Sequence, residues 1–231
     1  MLLNESTALS TSRVLLVPYE KHHVPQYHGW MQDPAIQEAT ASEPMTLEEE
    51  YENQQSWRTS NDKLTFIVCA PLPAGTESAL AGEADGVDRT RGDINFFLYP
   101  YDTVDDSVSD PKVLVGEVDI MIAANGHRGQ GTGQASVRAL LVYIQRNLGA
   151  ILKEYAGAEG SELRGLMVKL KEGNKASRAL FERLGFEQEG DVNYFGEVML
   201  MMPWDGLTSR QWWVEASQDF REVQYVHRES L

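Results

Sequence analysis

Apolar residues follow two rhythms along this chain. Short runs bounded by Gly, Pro, Asn or Asp mark strands. They fall at 13–20 (RVLLVPYE, ended by Pro18), 64–68 (LTFIV), 92–99 (GDINFFLY), 112–122 (KVLVGEVDIMI), 163–171 (LRGLMVKLK) and 192–202 (VNYFGEVMLMM). Other stretches keep helical spacing. Val24, Tyr27, His28 and Met31 share one face, with Pro25 suited to a first turn. Thr46 and Glu49 stand at capping-box spacing and predict a helix start near residue 46. Val137, Leu140, Leu141, Ile144 and Leu148 predict a helix over 134–148 with a broad apolar face. Asn174 caps a short helix over 175–184, and Gly185 ends it.

The remainder reads as connections. Residues 71–91, rich in Gly, Ala and Pro, the acidic 100–111 and the stretch 149–162 read as loop insertions. Residues 1–203 then form one domain. Residues 204–231 form a C-terminal tail, either an amphipathic helix or a loose appendage. The order of elements gives an α/β (α+β) class: a mixed central sheet flanked by helices, with antiparallel hairpins and one crossover at its centre.

Composition narrows the function. Hydrophobic residues make up 42% of 231, enough for a proper core. Lys and Arg number 20 against 35 Asp and Glu, a net charge of 20 − 35 = −15. That balance excludes a protein that tracks nucleic-acid phosphates with clustered cations. It leaves room for a small anion held by local backbone amides. The single cysteine, Cys69, permits no internal disulfide and fits a reducing compartment. The first residues lack the basic start and apolar core of a secretory signal. No run approaches the roughly 18 apolar residues of a spanning helix. The expectation is a soluble, cytoplasmic protein that binds neither membrane nor nucleic acid. The five histidines show no metal-ligand spacing, so no metal is expected. His22 and His23 precede a helix, and His127 abuts the glycine stretch.

The candidate chemistry lies in HRGQGTG, residues 127–133, between the strand 112–122 and the helix 134–148. A helix N-terminus carries unpaired N–H groups and partial positive charge. Glycines let a ligand approach the backbone, and Arg128 adds a forked cation. The stretch is either a tight turn or an anion site suited to a diphosphate. It is not a P-loop, because Gly131 is followed by Thr132 and Gly133, not Lys-Ser/Thr. Nor is it a dinucleotide fingerprint, since Gln134 or Ser136 occupies the place of the third glycine.

Arg128-x-x-Gly131-x-Gly133 resembles the acyl-CoA loop of the GNAT superfamily, the GCN5-related N-acetyltransferases. GNKASRALFERLGFEQEG (173–190) resembles that family's second signature, an Asn-led helix ending in Leu-Gly-Phe. The resemblance spans about 13–202. HHVPQYHGWM, TASEPMTLEEEYENQQSW, DKLTFIV and GDINFFL are further similar to the eukaryotic N-acetyltransferase 9 group. It implies the GNAT acyl-CoA N-acyltransferase fold, with acetyl-CoA as co-substrate and no metal. It also implies direct acetyl transfer to an amine, most readily on a protein or peptide, tubulin being a candidate through the group alone. The alternatives are an inactive CoA-binding interaction module and a small-amine acetyltransferase.

The resemblance assigns the cofactor to Arg128, Gly129, Gln130, Gly131, Thr132 and Gly133, to the preceding strand at Ile120, Met121 and Ile122, and to Asn174. Asn174 also has its plain reading as a helix cap. Glu117 and Asp119 share one strand face, and Glu117 is the candidate base; an exposed face or ion pairs with Lys169 and Lys171 is the other reading. Phe181 stands where many family members carry a tyrosine that protonates the leaving thiolate. Tyr194 or solvent replaces it, or no acid is needed.

Overall fold

A computed structural model of the chain describes residues 1–101, 113–157 and 160–228. Its strands are β1 (Thr7–Ser10), β2 (Leu15–Pro18), β3 (Lys63–Cys69), β4 (Ser78–Leu80), β5 (Thr90–Pro100), β6 (Val113–Ile122), β7 (Glu162–Lys171), β8 (Glu187–Glu189), β9 (Glu197–Pro203) and β10 (Arg221–Val226). The helices are α1 (Val24–Met31), α2 (Pro34–Thr40), α3 (Leu47–Thr59), α4 (Thr132–Ala156), α5 (Lys175–Leu184) and α6 (Trp213–Asp219). The strands make one sheet in the order β4-β10-β1-β2-β3-β5-β6-β7-β9-β8. Neighbours run antiparallel except β10–β4 and β6–β7. The parallel β6–β7 pair needs a long crossover, which α4 supplies.

Period-two alternation along the strands sorts residues onto two faces. Phe66, Ile94, Phe96, Val118 and Val168 join Val137, Leu140, Leu141 and Ile144 of α4 and Phe181 of α5 in the main core. Ile67, Leu15, Val17 and Cys69 face the other way, toward Val24 of α1 and the partly buried Tyr51 of α3. One face therefore carries α4 and α5; the other carries α1 and α3. Thr46 accepts from the Glu49 amide at 3.3 Å and Glu49 reaches back to the Thr46 amide at 2.7 Å, the predicted capping box. The acidic first turn of α3 is thus favoured by the helix dipole.

The structure departs from the expected boundaries in several places. The helix expected to stop at residue 148 runs to Ala156, because Ile151 and Leu152 continue its apolar face past Gly149. Most of 149–162 is therefore helix; residues 158 and 159 of it, 102–111 of the acidic loop and 112 of the expected strand lie outside the described residues. Residues 71–91 contain β4, which pairs with β10. The expected tail is part of the sheet: α6 packs on α4, and β10 lies between β1 and β4 with Val223 and Tyr225 buried. Among the described residues no helix is long and apolar enough to cross a membrane.

One buried carboxylate ties these late elements together. Asp85 Oδ2 takes hydrogen bonds from Tyr225 Oη (2.6 Å), His22 Nε2 (3.1 Å) and His23 Nε2 (3.0 Å), while Oδ1 accepts from the Gly82 amide at 2.5 Å. Burial alone would raise its pKa; these hydrogen bonds outweigh burial and hold it well below the carboxylate range. Among the described residues this is the one group whose donor atoms lie close enough to hold a metal ion. Its chemistry points elsewhere. His23 Nδ1 accepts the Glu20 amide at 3.0 Å, so the neutral ring carries its proton on Nε2 and has no lone pair there for a metal. The cluster is a structural latch. Asp85→Asn turns an amide N–H2 toward donors that need an acceptor, and is expected to lower stability by about 3 kcal/mol. Urea denaturation checks this; a loss below about 1 kcal/mol would contradict the latch.

Candidate active site

The site starts where β6 and β7 part. The two strands pair from Val113↔Glu162 to Glu117↔Met167 and no further. A bulge between Leu163 and Gly165 increases the local twist just before they separate. Beyond it β6 stays paired with β5 as far as Ile122↔Gly92, and β7 stays paired with β9 as far as Lys171↔Glu197. The facing edges of 118–122 and 168–171 therefore have no ladder partner. A thin chain bearing amides can add between them as a strand would.

The glycine stretch closes one end of this opening. Gly131 is the N-cap of α4 at φ 82°, a left-handed conformation that glycine adopts without strain. Ala135 is the first residue of α4 whose amide finds a carbonyl, that of Gly131. Among the described residues no acceptor takes the amides of Gly129 through Gln134. They stand at the positive end of a 25-residue helix, an anion site by construction.

An open groove of about 430 Å³ runs from these amides along the free edge of β6. Of the residues expected to hold the cofactor, Ile120, Met121, Ile122, Arg128, Gly129, Gly131, Gly133 and Asn174 line it. Two predicted residues do not. Thr132 is buried in the first turn of α4, and the Gln130 side chain bonds the Gly126 carbonyl at 2.5 Å. Arg128 lines the groove but also closes the loop onto the strand: Nε donates to Ile122 O at 2.7 Å and Nη2 to Ala123 O at 3.1 Å. Asn174 is the N-cap of α5, accepting the Ser177 amide at 3.1 Å, and it also lines the groove. The far wall comes from α2, through Ala35, Ile36, Ala39 and Thr40, and from Leu180 and Arg183 of α5. The sequence reading misses α2, a helix too short to show periodicity, although Asp33 before Pro34 is a start signal; Asp33 caps it by accepting the Ala35 amide at 2.9 Å.

Beside the groove, on the α1 and α3 side of the sheet, lies an acidic surface. Asp93 pairs across the ladder with Met121, Asn95 with Asp119, and Phe97 with Glu117. Met121 thus belongs to the groove while Asp119, two residues earlier, shares its face. Asp93 and Asn95 are buried, and Asn95 Nδ2 donates to Asp93 Oδ2 at 2.8 Å. Glu117 is engaged otherwise, with Lys169 Nζ at 2.8 Å from Oε2.

The model of the family described as acetyltransferase (GNAT) domain matches residues 13–187. The chain belongs to the GNAT acetyltransferase family. It is similar to α/β-tubulin-N-acetyltransferase 9 of Drosophila melanogaster, 37% identical over 223 residues, covering 96% of this chain and 98% of that one. The human protein of the same name is 35% identical over 226 residues, covering 97% and 96%. Among solved structures, the ribosomal L7/L12 α-N-protein acetyltransferase RimL in complex with coenzyme A aligns with TM-score 0.56 and 15% identity, over 84% of this chain and 95% of that one. The likeness to that structure is one of fold. As a GNAT enzyme the chain is an N-acetyltransferase, and its groove is suited to a CoA thioester in three ways: free amides for a diphosphate, an unpaired strand edge for an amide-bearing arm, and an adjoining apolar wall.

The acidic surface carries two carboxyls of raised pKa. Burial, then the Asp119 charge, raises the Asp93 pKa to about 7; the hydrogen bond from Asn95 pulls it back only in part. Asp119 is reached by solvent at the rim, yet the surrounding protein and then the neighbouring Glu117 charge raise its pKa to about 6. A carboxyl of that pKa changes charge in the range where a base operates. The expected acid, Tyr194, stands off the groove on the turn before β9, 96% exposed and edge-on to Phe195. Phe181 is a core residue, packed edge-to-face on Phe186 at 5.2 Å.

A raised carboxyl pKa weakens the fold as pH rises through it, because the folded chain holds a proton the unfolded chain has lost. For Asp93 that window runs from about 4 to about 7. Asp93→Asn is therefore expected to stabilise the protein at pH 8, by about 1–3 kcal/mol, and to give no gain at pH 4. Thermal unfolding at the two pH values tests this; an equal change at both would contradict it.

Proposed function

We propose that the protein transfers an acetyl group from acetyl-CoA directly to the free α-amine of a protein or peptide, with Asp119 as the general base. The observation that carries this reading is the placement of a solvent-reached carboxylate of raised pKa on the same strand face as Met121, beside the free edge of β6. The amides of 129–134 hold the diphosphate, and the free strand edge aligns the thioester beside the acceptor, a proximity effect. Asp119 takes one proton from the acceptor ammonium. The neutral nitrogen forms a bond to the thioester carbonyl, and the carbon–sulfur bond breaks. A second proton leaves nitrogen as the amide forms, so the products are acetyl-amide, CoA thiol and one released proton. A thiolate of pKa about 8.5 leaves without a protein acid, which fits a groove that neither Phe181 nor Tyr194 serves.

Asp119 is favoured over Glu117, the base expected from the sequence, because Glu117 is held in an ion pair with Lys169. The choice of an α-amine follows from acidity. An α-ammonium of pKa about 8 gives its proton to a carboxylate of pKa about 6 at a cost of about 3 kcal/mol, whereas a lysine at about 10.4 costs about 6. Tubulin is the first acceptor to try, since several relatives are named for it. The test is release of CoA thiol in the presence of peptides with free α-amines, set against peptides whose only amine is lysine. Faster release with free α-amines is expected; lysine-only peptides reacting as fast would overturn the α-amine assignment, and no release with any would overturn the reading.

A further inference from the structure

The polar face beside the groove holds more acceptor atoms than the protein itself satisfies. Thr65, Asp93 and Asn95 lie on adjacent strands at neighbouring positions, with Thr65↔Asn95 and Ile67↔Asp93 in register. Their relative exposures are 7%, 3% and 1%, so bulk solvent does not complete them. Yet Asp93 Oδ1, Asn95 Oδ1 and Thr65 Oγ1 have no hydrogen-bond partner. Tyr19 Oη and Glu50 Oε2, across the same space, also lack one. Buried polar atoms are rarely left unpaired, so a concentration of them calls for a partner the protein itself does not supply, water or a ligand. Acceptors outnumber donors among these atoms. Three of the five, on Asp93, Asn95 and Glu50, are carboxyl or amide oxygens; the other two, on Thr65 and Tyr19, are hydroxyls with one proton each to donate.

The charged groups around this space come from every element that packs on it. Asp93 and Asn95 are on β5, Glu117 and Asp119 on β6, Tyr19 just after β2, Tyr27 and His28 on α1 and Glu50 on α3. Lys169, on β7, is paired with Glu117. Tyr19, Tyr27 and Asp93 each feel the negative charge of their neighbours, and no basic residue enters among their influences. The face is therefore oxygen-rich and negatively biased, with His28, beside Glu50, the cationic group among those named. An ammonium ion brings three N–H donors and one positive charge.

We propose that Asp93 and Asn95, beneath Asp119, form a receptor for the acceptor's ammonium group, so that the enzyme selects its acceptor as a cation before Asp119 takes the proton. This rests on the reading of the groove as a transferase site and deepens it. Asp119 meets the incoming amine at the rim. Asp93 and Asn95 supply acceptor oxygens beneath it, and Asp93 is a positioning residue that supplies counter-charge. The receptor also accounts for the ladder position of Asp93 opposite Met121: the cation is held one residue pair from the groove.

The experiment uses the full chain loaded with CoA, which cannot transfer. The ligand is the peptide that releases thiol fastest in the turnover assay, in two forms, one with its free α-amine and one with the α-amine replaced by a hydroxyl. Calorimetry is run near pH 7 in two buffers of different ionisation heat. The free-amine peptide is expected to bind at least tenfold tighter than the hydroxyl form. Its binding is expected to release protons, because a cation beside Asp93 drives off the proton that Asp93 shares when empty. In Asp93→Asn the tenfold preference shrinks and proton release falls, while CoA affinity stays unchanged. Equal affinity of the two peptides for the wild-type protein would overturn the receptor without relying on any variant. So would proton release in Asp93→Asn equal to that of the wild type, which would show that ordered water alone occupies the space. If no peptide releases thiol, the transferase reading fails and the receptor falls with it; if thiol is released without cation preference, the receptor alone is wrong.

Discussion

Gly131→Glu is expected to weaken acetyl-CoA binding by a factor of about 100 to 1,000. The residue lies on the groove at φ 82°, and an added Cβ would come within 3.2 Å of Arg13 Nη2. Two effects combine. Any L side chain in the left-handed region costs about 1–2 kcal/mol of backbone strain. A carboxylate within about 4 Å of a diphosphate adds about 4 kcal/mol of repulsion at an effective dielectric of 20. Gly131→Ala separates them, because it carries the strain without the charge. It should lower stability by that 1–2 kcal/mol and affinity less than tenfold. Calorimetric titration of acetyl-CoA into both variants measures the difference. Equal affinity in Gly131→Glu and the wild-type protein would remove this helix end from the site.

Asp119→Asn is expected to lower kcat/KM at least a hundredfold, within the usual contribution of a general base. The wild-type rate should climb as pH rises through about 6, where Asp119 becomes a carboxylate. In the variant that limb should vanish, with acetyl-CoA affinity intact. Asn has nearly the same shape, and the position is open to solvent, so the fold is little disturbed. Glu117→Gln serves as the comparison. Its charge is paired with Lys169, and its loss should cost less than tenfold with the acid limb retained. A variant pair with the effects reversed would assign the base to Glu117.

Local signals were readable in the sequence, and contacts between distant segments were not. The capping box at Thr46 and Glu49, the Asn174 cap and the Gly185 stop each depend on a few neighbouring residues, and each stands where the spacing predicts. The wall of the groove made by β6, the glycines and the start of α4 follows for the same reason: the three are consecutive. What escaped is non-local. β1 is four residues with no clear alternation, and it is a strand because β2 and β10 flank it. In β10 the alternation of Val223 and Tyr225 is present, but so short a run also fits a helix face, and only pairing with β1 and β4 decides it. His22 and His23 meet Asp85 across more than 60 residues, beyond any spacing rule. Asp93 and Asn95 sit in a run whose apolar members announced a strand. Their place beside Asp119 depends on the β5–β6 register, which the sequence does not state.

The description rests on an anion held by the entrance of α4 and an extended arm laid along the unpaired edge of β6. A crystal structure with CoA bound tests this most directly. The account predicts the diphosphate on the amides between Gly129 and Gln134, the arm alongside 118–122 in the gap toward β7, and the sulfur on the side nearer Asp119. A diphosphate bound elsewhere, or an arm that leaves the β6 edge free, would contradict it.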